Sequence, residues 1–187
     1  MGTLKTTNIQ SISGSGTVTL GTSGETFTVP SGVTVNMSSA TQTGVGGANT
    51  PAFFARKGSN QTVSNATQTL ITYDIEDLDS DGKFASNKFT PTVAGWYQIG
   101  CRFRFDSATD SAYSQISIRK NGTDIGKHVE GQFEVLTKQI YSLIYLDTDD
   151  YVEVYCYQYT GGNVTVNGAA SLDETAAIFY GYKIIGV

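Results

Sequence analysis

The sequence has few charged residues and no long apolar run, and both absences narrow the class of protein. Charged residues make up 16% of the 187 residues, and the net charge is -5. Lys and Arg are scattered along the chain, so we expect no nucleic-acid partner, which would require a concentrated basic surface. No uninterrupted apolar stretch approaches the ~20 residues that cross a bilayer, so we expect no membrane insertion. Residues 1–7 lack the apolar core of a secretory signal and predict no secretory route.

Cysteine and histidine are also scarce, which leaves little for catalysis or metal binding. Each of the two cysteines, Cys101 and Cys156, shares the strand phase of apolar neighbours. We therefore expect two buried thiols rather than a disulfide between strands. His128 is the single histidine, and no Gly-x-Ser-x-Gly motif or Cys/His metal spacing occurs. The sequence predicts a protein that is not an enzyme; a glycan depolymerase with carboxylates from distant strands stays open as an alternative.

Aromatic residues, glycine and short alternating segments are abundant instead. The chain has 11 Tyr, 9 Phe and 21 Gly, and no segment keeps a helical period. The clearest alternation follows the turn at residues 94–95, where apolar residues occupy every second position: Tyr97, Ile99, Cys101, Phe103 and Phe105. A period of two is typical of a half-buried strand in an antiparallel sheet. We predict an all-β fold of many short strands joined by tight turns.

Residues 1–50 differ in composition from the rest and form a predicted segment of their own. They are rich in Thr, Ser and Gly, and their short alternating runs lie at residues 17–20, 26–29 and 33–37. Turn residues such as 30–32 separate the runs, which indicates a β-rich segment. The segment is too small for an independent core, so we expect it to dock on a larger partner. The apolar residues that would make this contact are Val18, Leu20, Phe27, Val29, Val33 and Val35. A flexible Gly/Thr hinge at residues 40–50 would lead to a globular unit, 51–187.

Several strands of the globular unit are apolar on both faces. In residues 151–159 one face carries two valines and Cys156, and the other carries a stripe of tyrosines. Residues 140–146 and 176–185 are apolar on both faces too. A wide exposed aromatic face is unfavourable for a monomer, so we expect sister copies in a closed, symmetric assembly to cover it. The predicted interface residues are Tyr141, Tyr145, Tyr151, Tyr155, Tyr157, Tyr159 and Phe179. In the alternative interpretation the tyrosines form the core and the valines face outward.

Two acidic turns are candidates for cation binding. The first carries Asp77, Asp79, Asp81 and Gly82 in the order of a calcium-binding loop. An EF-hand needs a carboxylate six residues after the glycine, and Lys88 stands there, which excludes that type of site. Calcium held by the three aspartates in another geometry stays open beside a solvated acidic loop, and we predict no other cofactor. The same two alternatives apply to a second acidic turn, formed by Asp147, Asp149 and Asp150.

Residues 82–99 carry a family resemblance. Their pattern, G-K-F-x-x-x-K-F-T-P-x-V-A-G-W-Y-x-I, resembles the central motif of the globular head of complement C1q and its relatives in the tumour necrosis factor superfamily. Other segments resemble strands of that family and lie in its order along the chain: 51–55, 71–74, 117–122, 146–154 and 179–184. In residues 146–154, Asp149 stands where the family usually has glycine.

The resemblance covers roughly residues 51–187 and implies a ten-stranded antiparallel jelly-roll sandwich that assembles as a trimer. A β-rich N-terminal segment before such a head resembles short bacteriophage fibres and head-decoration proteins. It implies a virion structural protein on the virion surface, either a capsid decoration or cement protein or a short fibre. Residues 2–39 would then dock on capsid or tail proteins. Two alternatives stay open: a tail-fibre module that binds host surface glycan, and a free soluble C1q-like lectin.

Overall fold

Short segments of the globular unit form strands, most clearly where apolar and polar residues alternate. The computed structural model describes residues 26–35, 50–106, 113–131, 137–169 and 176–185. These residues form thirteen strands and no helix, which confirms the predicted all-β fold class. It follows that no helix among them could cross a membrane. The strands are β1 (Ala52–Arg56), β2 (Gln61–Val63), β3 (Thr69–Leu70), β4 (Ile75–Asp79), β5 (Phe84–Ala85), β6 (Lys88–Phe89), β7 (Gly95–Asp106), β8 (Tyr113–Lys120), β9 (Thr123–Glu130), β10 (Thr137–Leu146), β11 (Val152–Tyr159), β12 (Val164–Val166) and β13 (Ile178–Lys183).

The first sheet is organised around β7, the long strand predicted from its alternation. Its inward side chains are almost completely buried, namely Tyr97, Ile99, Cys101, Phe103 and Phe105. Strand β10 pairs with one edge of β7, and β13 and β12 pair with the other edge. Further out, β1 pairs with β13 and β4 pairs with β1, while β2 pairs with β12. All of these pairs are antiparallel.

The second sheet has the order β5-β6-β11-β8-β9, and β3 also pairs with β11. In β11 the inward residues Val152, Val154 and Cys156 are fully buried, while the tyrosines of the strand point the other way. The predicted orientation is confirmed, and the alternative with a tyrosine core is wrong. Cys101 and Cys156 are free buried thiols, as predicted.

An aromatic cluster joins the two sheets at the centre of the core. Phe53 of β1 stacks on Phe84 and Phe89 of the second sheet, with ring centroids 5.3 and 4.3 Å apart. Phe179 of β13 meets Phe53 edge-on at 4.9 Å. A Cβ at Gly181 would lie 2.7 Å from the Phe53 ring, so the closing strand reaches this cluster only with glycine there.

Two hairpins of the second sheet use two-residue turns with positive φ. Asn121 and Gly122, with φ of 50° and 80°, join β8 to β9, as an Asn-Gly pair predicts. Ser86 and Asn87, with φ of 52° and 64°, join β5 to β6 although neither is glycine. The Asn87 side chain accepts a hydrogen bond from the Tyr73 N–H at 2.7 Å, which stabilises this less favourable turn.

The strand expected at residues 71–74 does not form. Ile71 donates its N–H to the Val154 carbonyl at 2.9 Å, but the next donor on the same edge of the chain, the Tyr73 N–H, bonds the Asn87 side chain at 2.7 Å. An antiparallel strand requires alternate residues to bond one neighbouring strand, and here the bonding to β11 stops after Ile71. The chain is therefore divided into the short β3 and the separate β4, which is one reason for thirteen strands instead of ten.

The chain divides into two compact units, Met1–Thr43 and Gly44–Val187. In the first unit the structure describes residues 26–35, which form an exposed turn. The Val33 N–H donates to the Pro30 carbonyl at 3.3 Å, so the predicted turn is confirmed. Alternating runs were predicted before and after this turn. Their described parts, within residues 26–35, do not form strands, because no described segment pairs with them.

The predicted docking residues fall partly outside the described part of the chain. Val18 and Leu20 lie outside it, as do residues 40–49 of the predicted hinge. The remaining docking residues are exposed: Phe27, Val29, Val33 and Val35.

Candidate functional site

The outer face of the first sheet carries a set of aromatic side chains brought together by strand register. Gly100 of β7 points outward because its neighbours in the strand point to the core. It pairs with Tyr141 of β10 on one side and with Tyr180 of β13 on the other, and Tyr180 pairs with Phe54 of β1. The resulting surface, here named the aromatic face, consists of Phe54, Leu78, Trp96, Tyr141, Leu143, Tyr145, Tyr180 and Tyr182.

Contacts within the chain hold the rings of the aromatic face in place. Gly100 leaves room for the Tyr180 ring, since a Cβ there would lie 2.5 Å from Tyr180 Cζ. The Phe54 ring stacks beside Tyr180 with centroids 6.4 Å apart. Burial, and then the nearby Tyr182 hydroxyl, raises the pKa of Tyr180 above its ordinary value. Packing within the chain therefore holds the half-buried Tyr180 ring in place at the centre of the face.

Much of the aromatic face is nevertheless open to solvent. Tyr141 is 69% exposed and Leu143 is 59% exposed. Trp96 and Tyr145 pack edge to face at 5.9 Å, yet each remains about half exposed. Monomeric proteins rarely expose contiguous apolar patches larger than a few hundred Å². The face has the composition of an interface core, in which aromatic residues are enriched.

The structure places the seven predicted interface residues in three different locations. Tyr141 and Tyr145 lie on the aromatic face, and four tyrosines lie on the outer face of the second sheet. Phe179 is fully buried in the core, so its assignment to an interface is wrong. The reason is the alternation of β13, which turns Phe179 inward and leaves Tyr180 and Tyr182 outward.

The four tyrosines of the second sheet, here named the tyrosine stripe, are Tyr151, Tyr155, Tyr157 and Tyr159. Cations of the same chain cover two of them: Lys88 Nζ lies 4.0 Å from the Tyr151 ring centre, and the Arg119 guanidinium lies 4.0 Å from that of Tyr155. Such contacts stabilise exposed aromatic rings without a partner subunit. Two of the four rings are therefore already covered within the chain.

An open hollow lies on the outer face of the second sheet, at one end of the tyrosine stripe. It has a volume of about 360 Å³ and is lined by Gln68, Tyr113, Gln115, Tyr157 and Tyr159. In the β8–β11 ladder, Tyr113 pairs with Tyr159 and Gln115 pairs with Tyr157. Strand register thus gathers three phenol rings and two amides at one place.

Sequence reasoning missed six members of the aromatic face and three residues of the hollow. A signal existed for Trp96, because the alternation of β7 already turned it away from the core. The other missed residues depend on which strands lie side by side, which no periodicity reveals. They are Phe54, Leu78, Leu143, Tyr180 and Tyr182 on the aromatic face, and Gln68, Tyr113 and Gln115 in the hollow.

The three carboxylates of the first acidic turn do not converge. Asp77 is ion-paired with Arg56 at 2.7 Å, Asp79 accepts a hydrogen bond from the backbone of β5 at 2.7 Å, and Asp81 accepts one from the Thr92 hydroxyl. In the described ranges no three His, Cys, Asp or Glu side chains could hold a metal ion together. The arrangement therefore does not support the calcium alternative for this loop, because each carboxylate serves a different structural contact.

The second acidic turn is fastened to the β8–β9 hairpin by Asp150. Its carboxylate accepts hydrogen bonds from Lys120 Nζ at 2.6 Å, Asn121 Nδ2 at 2.7 Å and the Asp147 N–H at 2.7 Å. These contacts, with Lys120 first, lower the pKa of Asp150 below its ordinary value of 3.8. The turn has a structural role.

Replacing Asp150 with asparagine is expected to change how stability depends on pH. A carboxylate whose pKa is lowered by folding contributes stability above its unfolded value of 3.8, and this contribution is lost as the pH falls through the folded pKa. Asp150→Asn should therefore be less stable than the natural chain at neutral pH and decline less steeply on acidification. Urea unfolding from neutral to strongly acidic pH measures this. Equal slopes for Asp150→Asn and the natural chain would contradict the assignment.

The side chains considered for catalysis are not arranged for it. Burial raises the pKa of the Cys101 and Cys156 thiols far above the usual range, so they stay protonated and are poor nucleophiles at neutral pH. His128 lies exposed on β9, and its cross-strand neighbour is Ile116.

Two facing antiparallel sheets with this strand order define a jelly roll of the C1q and tumour necrosis factor type. The structure is similar to that of the globular domain of zebrafish complement 1qA protein, with a TM-score of 0.52 and 14% sequence identity. The match covers 72% of this chain and 98% of that chain. The predicted fold class is thus confirmed. The sequence itself matches no protein-family model, and no curated protein is significantly similar to it.

Proposed function

We propose that this chain is a non-enzymatic structural protein of a bacteriophage virion, a homotrimeric capsid decoration or cement protein or a short fibre. The observation that carries the proposal is the aromatic face, an apolar surface on the outside of one sheet. It needs a cover, and sister copies related by closed symmetry would cover it in every subunit.

The proposed number of copies, three, rests on the family resemblance. The resemblance to C1q and tumour necrosis factor heads implies a trimer with aromatic strands near the three-fold axis. Strands β10, β7, β13 and β1, which carry most of the aromatic face, lie next to one another in the first sheet. They would form the surface that the three copies share.

The virion setting rests on the N-terminal unit and its resemblance to phage fibre and head-decoration proteins. Residues 26–35 expose Phe27, Val29, Val33 and Val35 around a turn. Exposed apolar side chains on so short a segment suit a contact with another protein. The segment would dock on a capsid or tail protein, and the head would stay exposed on the virion surface.

Deleting residues 2–45 tests the two halves of the proposal in one experiment. The truncated head should keep a mass in light scattering of three times its own chain, as the full chain should show three times 20.0 kDa. Phage particles assembled with the truncated chain should lack the protein, because the docking segment is gone. Normal incorporation of the truncated head would contradict docking, and a monomeric mass would contradict the trimer.

Host surface adhesion is a second candidate function, and the hollow at the end of the tyrosine stripe favours it. Phenol rings and amides on an exposed sheet face are the groups that recognise sugars. A tail-fibre module and a free lectin would both use such a site, so particle incorporation distinguishes the two.

A further inference from the structure

Strand register places three phenol rings around the hollow of the second sheet. The Tyr113 and Tyr157 rings meet edge to face with centroids 5.6 Å apart. Tyr159 is 54% exposed at the end of β11. The volume of about 360 Å³ lies at the lower end of the range for small-ligand sites, about 300–1,000 Å³. An open hollow of this size fits one ring of a larger ligand better than a whole enclosed molecule.

Gln115 supplies a buried polar group to the lining of the hollow. It is only 3% exposed although it points to the outer face of the sheet. Its Oε1 accepts a hydrogen bond from the Tyr113 hydroxyl at 3.1 Å, while its Nε2 has no hydrogen-bond partner among the described residues. Buried amide donors without partners are unfavourable and uncommon. A ligand oxygen seated in the hollow would supply the missing acceptor.

The charge around the hollow favours a neutral ligand. None of the five lining residues is charged. The Arg119 guanidinium reaches the rim, where it donates to Gln68 Oε1 at 3.0 Å, but it is ion-paired with Asp124 at 2.6 Å. The cation is therefore already neutralised, and the amide nitrogen of Gln68 remains as a further donor.

We propose that this hollow binds a neutral sugar ring of a host cell-surface polysaccharide. A sugar ring has an apolar C–H face that stacks on phenol rings and a rim of hydroxyl oxygens that accept hydrogen bonds from amides. The proposal names a ligand class for the adhesion role. It rests on the proposed function for the trimer, which would present three hollows together. Assembly through the aromatic face leaves the opposite sheet open, so three hollows would act together and raise the avidity about 10²–10⁴-fold.

Saturation-transfer NMR with the full chain tests the site. The probes are methyl glycosides of neutral hexoses, deoxyhexoses and N-acetylhexosamines, together with a proline-rich peptide, since proline-rich segments also dock on aromatic residues. We expect binding of at least one glycoside, and about tenfold weaker binding in both Tyr159→Ala and Gln115→Leu. Tyr151→Ala removes a phenol from the same sheet face outside the hollow and should leave binding unchanged.

Gln115→Leu also separates a ligand-binding role from a structural one. Leucine has a similar size and removes an unpartnered donor together with the acceptor of the half-buried Tyr113 hydroxyl, so the urea midpoint should change little while sugar binding falls. No binding to any glycoside, binding that survives both substitutions, or binding of the peptide alone would overturn the proposal. Light scattering on the same samples measures the oligomeric state, so the trimer is tested separately from sugar binding. A trimer that binds no sugar contradicts only the hollow, and a monomer that binds sugar contradicts only the trimer.

Discussion

Tyr141→Glu is expected to run in light scattering as a 20.0 kDa monomer, whereas the natural chain should run as a trimer. Tyr141 is 69% exposed at the centre of the aromatic face, so the substitution should cost the isolated fold little. In a trimer that covers this face, each copy would bury an unpaired carboxylate. The penalty is several kcal/mol per charge, and each ~1.4 kcal/mol weakens association tenfold.

The matched control is Tyr159→Glu, which makes the same change at an exposed tyrosine of the other sheet. It should keep the trimeric mass, because the tyrosine stripe lies on the face opposite to the proposed interface. If Tyr159→Glu dissociates the trimer and Tyr141→Glu does not, the interface lies on the second sheet. If neither variant changes the mass, neither tyrosine lies in the interface.

Phe53→Ala is expected to lower the free energy of unfolding by about 3–5 kcal/mol. Phe53 is 2% exposed and stacks against rings from both sheets, including Phe89 at 4.3 Å and Phe179 at 4.9 Å. Removing it opens a cavity where the sheets meet, and the surrounding rings can close it only partly. The expected loss is a large part of the ~5–15 kcal/mol by which small domains are stable. Chemical denaturation at a single protein concentration measures it, since assembly also adds to apparent stability.

Phe54→Ala is the comparison for this variant. The two residues are adjacent in β1 and lose the same atoms, but Phe54 points to the aromatic face and is only half-buried. Phe54→Ala should lower the free energy of unfolding clearly less than Phe53→Ala does. Equal losses would show that the core cluster is no more important than the outer face, against the packing described above.

Which side chains of a strand point to the core was predictable wherever apolar and polar residues alternate along that strand. The inward residues of β7 and the buried face of β11 were predicted because every second residue is apolar and a strand turns successive side chains to opposite faces. The Asn121-Gly122 turn was predictable for a similarly local reason, since it depends on the φ values that these two residues tolerate. The turn at Ser86 and Asn87 was not, because a contact from Tyr73, distant in sequence, supports it.

The ligand-like spacing of three aspartates in the sequence was not enough to predict a metal site. Asp77, Asp79 and Asp81 match the opening of a calcium loop, but a site requires their oxygens to converge on one point. In the fold each carboxylate has a nearer partner; Arg56, for example, comes from a neighbouring strand. Strand pairing brought Arg56 to Asp77, and contacts nearer in sequence engaged Asp79 and Asp81.

The sequence by itself determined an all-β head with a C1q-like strand order, buried thiols and more apolar faces than one core can hold. These properties follow from local alternation and turn chemistry, which act between residues close along the chain. The tertiary structure alone decided which of those faces stays open. It placed Tyr141 beside Gly100 and Tyr180, turned Phe179 into the core, and gathered Tyr113, Gln115 and Tyr159 into a hollow. Lateral neighbours in a sheet come from strands far apart in sequence, so only pairing and register could assemble these surfaces.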